Sequence, residues 1–306
     1  MPFPPEGKCS PLCCARWPPW IHPTGAIAGK VTAEAAAETG LSPGTPVITG
    51  GGDYSVTVPF LQRLKAENSL LLYLGTAPIA SLMTREGKWM GAGIMSASGG
   101  AGLKWFKEQF CPMEEYVGSR TGRSPYVMMD QESSMIDPGS DGVVFIPLMG
   151  ERGPPNDYAR GVVFGLSLGH RREHVMRALL EGITFQLRSY WEQAQSKEAI
   201  DVDKIVVFGG GAKSRFWRQL IADVFGCPTY TLASDEISSL HLAALTATAL
   251  GYYKDLDAAY ERIDLSFTGR LKPTTLHKEK IEKAYRLFKK VDENLQSVYS
   301  VEKLPG

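Results

Sequence analysis

The stretch IVVFGGGAKS at 205–214 decides the fold, because a β-branched and aromatic run ends there in three glycines before a residue that can begin a helix. Two other stretches share this layout: VITGGGD at 47–53 and LLLYLGTA at 70–77. A strand that ends in glycines exposes backbone N–H groups, which can hold phosphate where larger residues would block its approach. Three such turns predict a nucleotide site assembled from several strand ends.

Apolar spacing along the rest of the chain predicts an α/β domain, with strands first and then alternating helices and strands. The predicted helices are 33–39, 99–110, 172–196, 214–225, 240–250 and 276–298. The predicted strands are 45–49, part of 54–60, 69–74, 78–83, 142–147, 162–167 and 204–208. Weak signals in 111–140 indicate loops with room for one helix. In open α/β sheets, ligands bind just beyond the carboxyl ends of the strands, which is where the glycine turns lie.

Composition narrows the class of protein. The 33 Lys and Arg equal the 33 Asp and Glu, so no net field attracts nucleic acid or an anionic membrane. The sequence has no apolar run near the roughly 20 residues that span a bilayer, and no signal-peptide layout. Five cysteines fit a reducing, cytoplasmic setting. Residues 1–23 are predicted to form an irregular leader. Its three cysteines, Cys9, Cys13 and Cys14, indicate a thiol-bearing arm rather than a zinc site, because zinc normally needs four ligands.

Two of the turns carry candidate chemistry. Asp53 follows three glycines, and its carboxylate could take a proton from a hydroxyl that attacks a phosphoryl group. It could equally close a turn, since Gly-Asp is ordinary turn chemistry. Gly75 and Thr76 form a second turn, in which backbone N–H groups and one hydroxyl could hold a terminal phosphate.

The third turn, Gly209–Ser214, places a helix N-terminus beside glycines, which suits an anion or the edge of a nucleotide. A tight strand-to-helix turn is the alternative. Its spacing matches neither a P-loop nor a dinucleotide fingerprint. For Glu151 and Arg152, a structural ion pair is a better interpretation than contact with a substrate. For His170, His174 and His241 we expect packing or surface roles.

Together these motifs resemble the C-terminal half of an FGGY-family carbohydrate kinase, and within that family the xylulose kinases. The resemblance runs from about residue 20 to the end. It is carried by GTPVITGGGD (44–53), YLGTA (73–77), GLKWF (102–106), FIPLMGERGPPNDYARGVVFGLS (145–167), RALLEGITFQLR (177–188) and GGGAKSRFWRQLIADVFGCP (209–228).

The resemblance implies an actin-like ATPase fold with a ribonuclease-H-like domain, and γ-phosphoryl transfer from ATP with Mg²⁺ to a hydroxyl of a ketopentose such as D-xylulose. It implies residues 24–306 as the ATP-binding domain and no metal ligand among them. The implied roles are general base for Asp53, substrate contact for Asp53 and Tyr54, and nucleotide binding for Gly75, Thr76, Gly100, Lys104, Gly210, Gly211, Ala212 and Ser214.

Several departures from the family pattern set further expectations. Tyr54 replaces an Asn or Gln, Ala77 replaces a Ser, and His241 with Leu242 stand where small residues are usual. No Asp-x-Gly-Thr phosphate hairpin precedes residue 20. We therefore expect a half-enzyme that needs an N-terminal half for full activity, or a non-catalytic nucleotide-binding pseudo-kinase that regulates a full-length kinase. We also expect either a homodimer or a separate partner chain.

Overall fold

The computed structural model describes residues 22–52, 61, 64, 68–83, 89–95, 98–149, 160–195 and 202–299. The chain divides into two compact units. The first contains Met1–Leu61 with Ser238–Ile263, and the second contains Gln62–Ile237 with Asp264–Gly306. Each unit is therefore described by itself.

The strands, in chain order, are β1 (Ile27–Lys30), β2 (Pro46–Ile48), β3 (Ser69–Tyr73), β4 (Ile79–Met83), β5 (Trp89–Met95), β6 (Val144–Ile146), β7 (Val162–Phe164), β8 (Lys204–Phe208), β9 (Thr229–Leu232) and β10 (Phe267–Leu271). The helices are α1 (Ala33–Thr39), α2 (Gly99–Phe110), α3 (Pro112–Thr121), α4 (Pro125–Ser134), α5 (Arg172–Gln195), α6 (Arg215–Phe225), α7 (Ile237–Ala249), α8 (Leu256–Tyr260) and α9 (Lys278–Tyr299).

The second unit is built on a six-stranded mixed sheet in the order β10-β9-β8-β3-β4-β5. The central strands β3, β8 and β9 run parallel, with Tyr73 opposite Phe208 at the carboxyl ends of β3 and β8. Strands β4, β5 and β10 run antiparallel to their neighbours. Strand β3 is almost fully buried, as its apolar run predicts for a central strand.

Helix α5 forms the centre of the hydrophobic core in this unit, with Leu179, Leu180 and Ile183 fully buried. Its Gly182 packs directly on the backbone carbonyl of Phe145 in β6, where a Cβ would collide with that oxygen. This glycine lets α5 approach β6 closely, even though glycine disfavours a helix interior.

The first unit contains the antiparallel pair of β1 and β2, which helix α1 connects, together with helices α7 and α8. Thr32 caps α1 by accepting a hydrogen bond from the N–H of Ala35, and Gly40 ends the helix in a left-handed conformation. The Thr49 hydroxyl accepts from the N–H of Ala26, which ties the start of β1 to the end of β2.

Most predicted elements are confirmed, including α1, β4 as the hairpin partner of β3, and helices α2, α5 and α6. The prediction for 111–140 is wrong, because two helices, α3 and α4, lie there. Each begins with a proline in its first turn, which is a helix-start signal, but neither has a clear apolar stripe. Strands β5, β9 and β10 were not predicted, and the strand expected within 54–60 lies outside the described residues.

Candidate active site

The turn between β3 and β4 presents unpaired backbone donors. In the described part of the chain, the N–H groups of Gly75, Thr76 and Ala77 and the hydroxyl of Thr76 donate to no other group. Thr76 is exposed, and Gly75 and Ala77 are half-buried. Adjacent free N–H groups at the end of a strand form a concave site for an anion, so this turn can hold phosphate oxygens.

The start of α2 orients this turn. The N–H of Gly100 donates to the Gly75 carbonyl at 2.9 Å, and the N–H of Ala101 donates to the Thr76 carbonyl at 3.1 Å. Because a trans peptide holds its C=O and N–H on opposite sides, the N–H groups of Thr76 and Ala77 point away from α2. Gly100 thus acts on the turn through its own backbone, and its N–H is already bonded within the protein.

The loop after β8 uses its donors differently. The N–H of Gly211 donates to the Leu74 carbonyl at 3.0 Å, that of Ala212 to the Gly209 carbonyl at 3.0 Å, and that of Ser214 to the Gly211 carbonyl at 3.1 Å. The Ala212 side chain is 3% exposed and belongs to the hydrophobic core. This loop therefore offers fewer free donors than the β3–β4 turn.

Ser214 has two neighbours at the start of α6. Its hydroxyl oxygen accepts from the N–H of Trp217 at 2.9 Å and so caps the helix. The Asp130 carboxyl on α4 lies beside this hydroxyl, and its pKa is raised by burial and lowered in part by its interaction with Ser214. Asp130 was missed by sequence reasoning, since it lies in a segment with weak signals and far from Ser214 along the chain.

Two glycines of this loop differ in their surroundings. A Cβ at Gly211 would lie 2.6 Å from the buried ring of Trp217 and 2.7 Å from Cβ of Leu74, so packing requires a glycine there. A Cβ at Gly210 would meet nothing within 4 Å. The exposed face over Gly210 is therefore open backbone, against which a flat ring system could lie.

The two loops lie side by side at one edge of the sheet. The N–H of Leu74 donates to the Phe208 carbonyl at 2.8 Å, and the Leu74 carbonyl accepts from Gly211. The predicted residues Gly75, Thr76, Gly210 and Gly211 are thus brought together in these two loops.

The other predicted site residues are placed as follows. The Lys104 side chain on α2 is 67% exposed, with its Nζ atom 3.8 Å from a carboxylate oxygen of Glu108. Asp53 and Tyr54 lie outside the described residues, as do Glu151 with Arg152 and the leader cysteines.

The histidines have the packing and surface roles that we expected. His241 is buried, its Nδ1 is 2.7 Å from the Tyr260 hydroxyl, and burial lowers its pKa. The Nδ1 atom of His170 accepts from the N–H of Ser167, and that of His174 from the N–H of Arg171. Within the described segments, no three His, Cys, Asp or Glu side chains meet as a metal site requires.

The strand order and the glycine turns after two parallel strands define an actin-like ATPase domain. The model of the FGGY family of carbohydrate kinases, C-terminal domain, matches residues 73–250, and the chain belongs to this family. Gluconokinase of Bacillus licheniformis is 30% identical over 92% of this chain and 57% of the relative. Autoinducer-2 kinase of Yersinia pestis is 28% identical over 92% of this chain and 55% of the relative.

Solved structures show the same likeness. The xylulose kinase of Rhodospirillum rubrum superposes with a TM-score of 0.61 and 26% identity, over 91% of this chain and 57% of that one. The chain spans about half the length of the curated relatives that it matches. Of the helices in the described residues, none combines the length and apolar character of a bilayer span.

Proposed function

We propose that this chain supplies the ATP-binding domain, residues 24–306, of a carbohydrate kinase that phosphorylates a hydroxyl of a ketopentose such as D-xylulose. One observation carries the proposal: the N–H groups of Gly75, Thr76 and Ala77 have no acceptor among the described residues and lie beside a second glycine loop, so that they would be available to an anion. Membership of the carbohydrate kinase family supports it.

The two loops would bind different parts of the same nucleotide. The β3–β4 turn would hold terminal phosphate oxygens through its N–H groups and the Thr76 hydroxyl. The adenosine would lie against the backbone of Gly210, where a Cβ would enter open space. ATP would carry Mg²⁺ on its phosphates, where the cation would offset the charge of the transferred group.

Asp53 would act as the general base, with Tyr54 beside it contacting the sugar. The sugar hydroxyl oxygen forms a bond to the γ-phosphorus, and the bond from that phosphorus to the β–γ bridging oxygen breaks, which releases ADP. The hydroxyl proton passes to the Asp53 carboxylate. Phosphoryl transfer depends mainly on positioning and charge neutralisation, so the base contributes one part of the rate.

The choice of sugar is the finer part of this proposal. The likeness to a xylulose kinase structure supports a ketopentose, whereas the gluconokinase relatives support an acidic sugar. A panel of D-xylulose, D-gluconate and glycerol distinguishes these, with transfer of the labelled γ-phosphoryl as the measurement.

The test of the base compares Asp53→Asn with the wild type. We expect kcat to fall by about 10²- to 10⁴-fold, with the Kd for ATP unchanged by calorimetry, because the base acts on the sugar hydroxyl. Glu38→Gln, which neutralises an exposed carboxylate on α1, is the matched control and should leave both values unchanged. Turnover that survives Asp53→Asn would exclude this base.

Two other results separate the alternatives. A chain that binds ATP but transfers no phosphoryl, even when supplied with the N-terminal half of a relative, would favour a nucleotide-binding regulator. Failure to bind ATP would refute the nucleotide site itself. Self-association stays a prediction, to be tested by sedimentation at increasing concentration.

A further inference from the structure

We infer that Tyr73 is a positioning residue, whose ring sets the separation of the two glycine loops so that a single nucleotide can reach both. The inference rests on the proposed function, because it concerns how the same ATP would be held. It assigns a role to a side chain for which the sequence analysis predicted none.

The ring contacts both loops through opposite edges. A Cβ at Gly75 would lie 2.6 Å from Cζ and 2.8 Å from the hydroxyl oxygen of Tyr73. A Cβ at Gly209 would lie 2.8 Å from Cε2 and 2.9 Å from Cδ2 of the same ring. These distances are shorter than real Cβ atoms tolerate, so a methyl group at Gly75 or Gly209 would have to displace the ring. The Tyr73 ring therefore acts as a spacer between Gly75 and Gly209.

The backbone fixes this spacer in place. Tyr73 and Phe208 are paired in the parallel register of β3 and β8, and their rings lie 5.5 Å apart. Directly after them, the N–H of Leu74 donates to the Phe208 carbonyl, and the Leu74 carbonyl accepts from Gly211. These hydrogen bonds fix the register of the two strand ends, and beyond them the ring fills the space between Gly75 and Gly209.

The spacing of the two loops affects the binding of those ligands that contact both of them. ATP would contact the β3–β4 turn through its phosphates and Gly210 through its adenosine, whereas adenosine alone would contact only the second loop. A ligand that must contact two loops at once loses binding free energy when the loops no longer stand at the spacing that it needs. Removal of the ring should thus weaken the binding of ATP more than the binding of adenosine. The ratio of the two affinities therefore measures the contribution of the spacer.

The experiment measures Kd for Mg·ATP and for adenosine by calorimetry in the wild type, Tyr73→Phe, Tyr73→Leu and Tyr73→Ala. We expect Tyr73→Phe to keep the wild-type ratio, because it keeps the ring. We expect Tyr73→Leu and Tyr73→Ala to lose about tenfold in ATP affinity with less than a threefold change for adenosine. A change in folding alone would weaken the binding of ATP and of adenosine by the same factor.

A double-mutant cycle tests the contact itself. Gly75→Ala should weaken ATP strongly in the wild-type background, but only slightly in Tyr73→Ala, because the ring that the new methyl would meet is gone. Gly210→Ala is the matched control for the cycle, since its methyl would meet no protein atom within 4 Å, and its effect should be independent of Tyr73.

Each other outcome has a definite meaning. If the wild type does not bind ATP, the proposed function fails. If it binds ATP but the Tyr73→Ala ratio is unchanged, or the Gly75 effect is the same in both backgrounds, the spacer role is overturned. If both Tyr73→Leu and Tyr73→Ala fail to fold, Tyr73 is a core residue, and the inference is equally overturned.

Discussion

The β3–β4 turn and the loop after β8 both read as glycine-rich strand ends, yet they offer a ligand different surfaces. The first leaves the N–H groups of Gly75, Thr76 and Ala77 free. In the second, the N–H groups of Gly211, Ala212 and Ser214 donate to backbone carbonyls. The first loop can therefore hold an anion on three adjacent donors. The second, in which the N–H groups of Gly209 and Gly210 also have no described acceptor, offers fewer donors beside an open backbone face that can recognise shape.

The glycines differ in the same way. Packing requires Gly100 and Gly211, whose Cβ atoms would collide with a carbonyl oxygen and with a buried indole. Gly210 is required by no protein atom within 4 Å. A glycine motif thus mixes residues that the fold needs with residues that only a ligand would need, and substitution to alanine separates the two kinds.

The largest effect is expected from Gly100→Ala. Its methyl would lie 2.6 Å from the Gly75 carbonyl oxygen, which is backbone and cannot rotate away. We expect a loss of about 1–3 kcal/mol in the free energy of unfolding, since overpacking costs that much, together with weaker ATP binding as the turn shifts. Urea denaturation and calorimetry measure the two effects.

Gly102→Ala on the same helix is the matched control. Its methyl would lie 3.6 Å from Cβ of Ser98 and 3.7 Å from a methyl of Leu179, which are ordinary contacts. Alanine favours a helix interior over glycine by about 1 kcal/mol, so this variant should be at least as stable as the wild type. An equal loss from both variants would show that contact with the turn is not the cause.

A smaller effect, on binding alone, is expected from Gly210→Ala. Its methyl would meet no protein atom within 4 Å, so the free energy of unfolding should change by less than about 0.5 kcal/mol. If adenosine lies against this backbone, the methyl would displace it, and we expect affinity for both ATP and adenosine to fall about tenfold, or roughly 1.4 kcal/mol.

Gly29→Ala on β1 controls for the substitution itself, because Gly29 is also exposed with nothing within 4 Å of its Cβ position. It should leave both the stability and the affinity unchanged. If Gly210→Ala binds ATP and adenosine with wild-type affinity, the adenosine lies elsewhere. The loop after β8 would then not recognise the shape of the nucleotide.

Sequence patterns predicted the parts of this fold in which periodicity is strong. Helix α5 was predicted because apolar residues recur at three- and four-residue steps, and β3 and β8 because apolar runs end in glycines. Helices α3 and α4 carry a mixed surface without a clear stripe, so their periodicity gave no signal. Their prolines in the first turn were the available sign.

The candidate site was predicted in outline, by its two glycine loops, but not in how it works. No local pattern shows that Ala212 belongs to the core, that Gly211 accommodates Trp217, or that Asp130 reaches Ser214. These relations arise from the packing of helices on the sheet, and the one between Asp130 and Ser214 joins residues far apart along the chain. Sequence spacing therefore indicates where a loop is, whereas tertiary contacts decide which of its atoms remain available to a ligand.

The smallest effect is expected from Asp130→Asn. This variant tests whether a carboxylate beside Ser214 contributes to stability at the N-terminal end of α6. Burial raises the pKa of the Asp130 carboxyl above its ordinary value of 3.8. The folded protein therefore keeps this proton to a higher pH than the unfolded chain does. As the pH rises above 3.8, Asp130 lowers the free energy of unfolding, until the pH passes the raised pKa and the loss becomes constant. Asn keeps an acceptor for the Ser214 hydroxyl but cannot ionise.

The stability of Asp130→Asn relative to the wild type should therefore increase with pH from about pH 4 and then level off, as measured by urea denaturation across about pH 4 to 7. Asp264→Asn is the matched control of opposite sign, because hydrogen bonds from Ser266 lower the pKa of Asp264. The contribution of Asp264 is lost as the pH falls below 3.8 towards its lowered pKa, so relative to the wild type this variant should lose stability as the pH rises to about 4 and then level off, which the same denaturation series extended down to about pH 2.5 measures. A flat profile for Asp130→Asn would mean that Asp130 does not carry a buried charge beside Ser214.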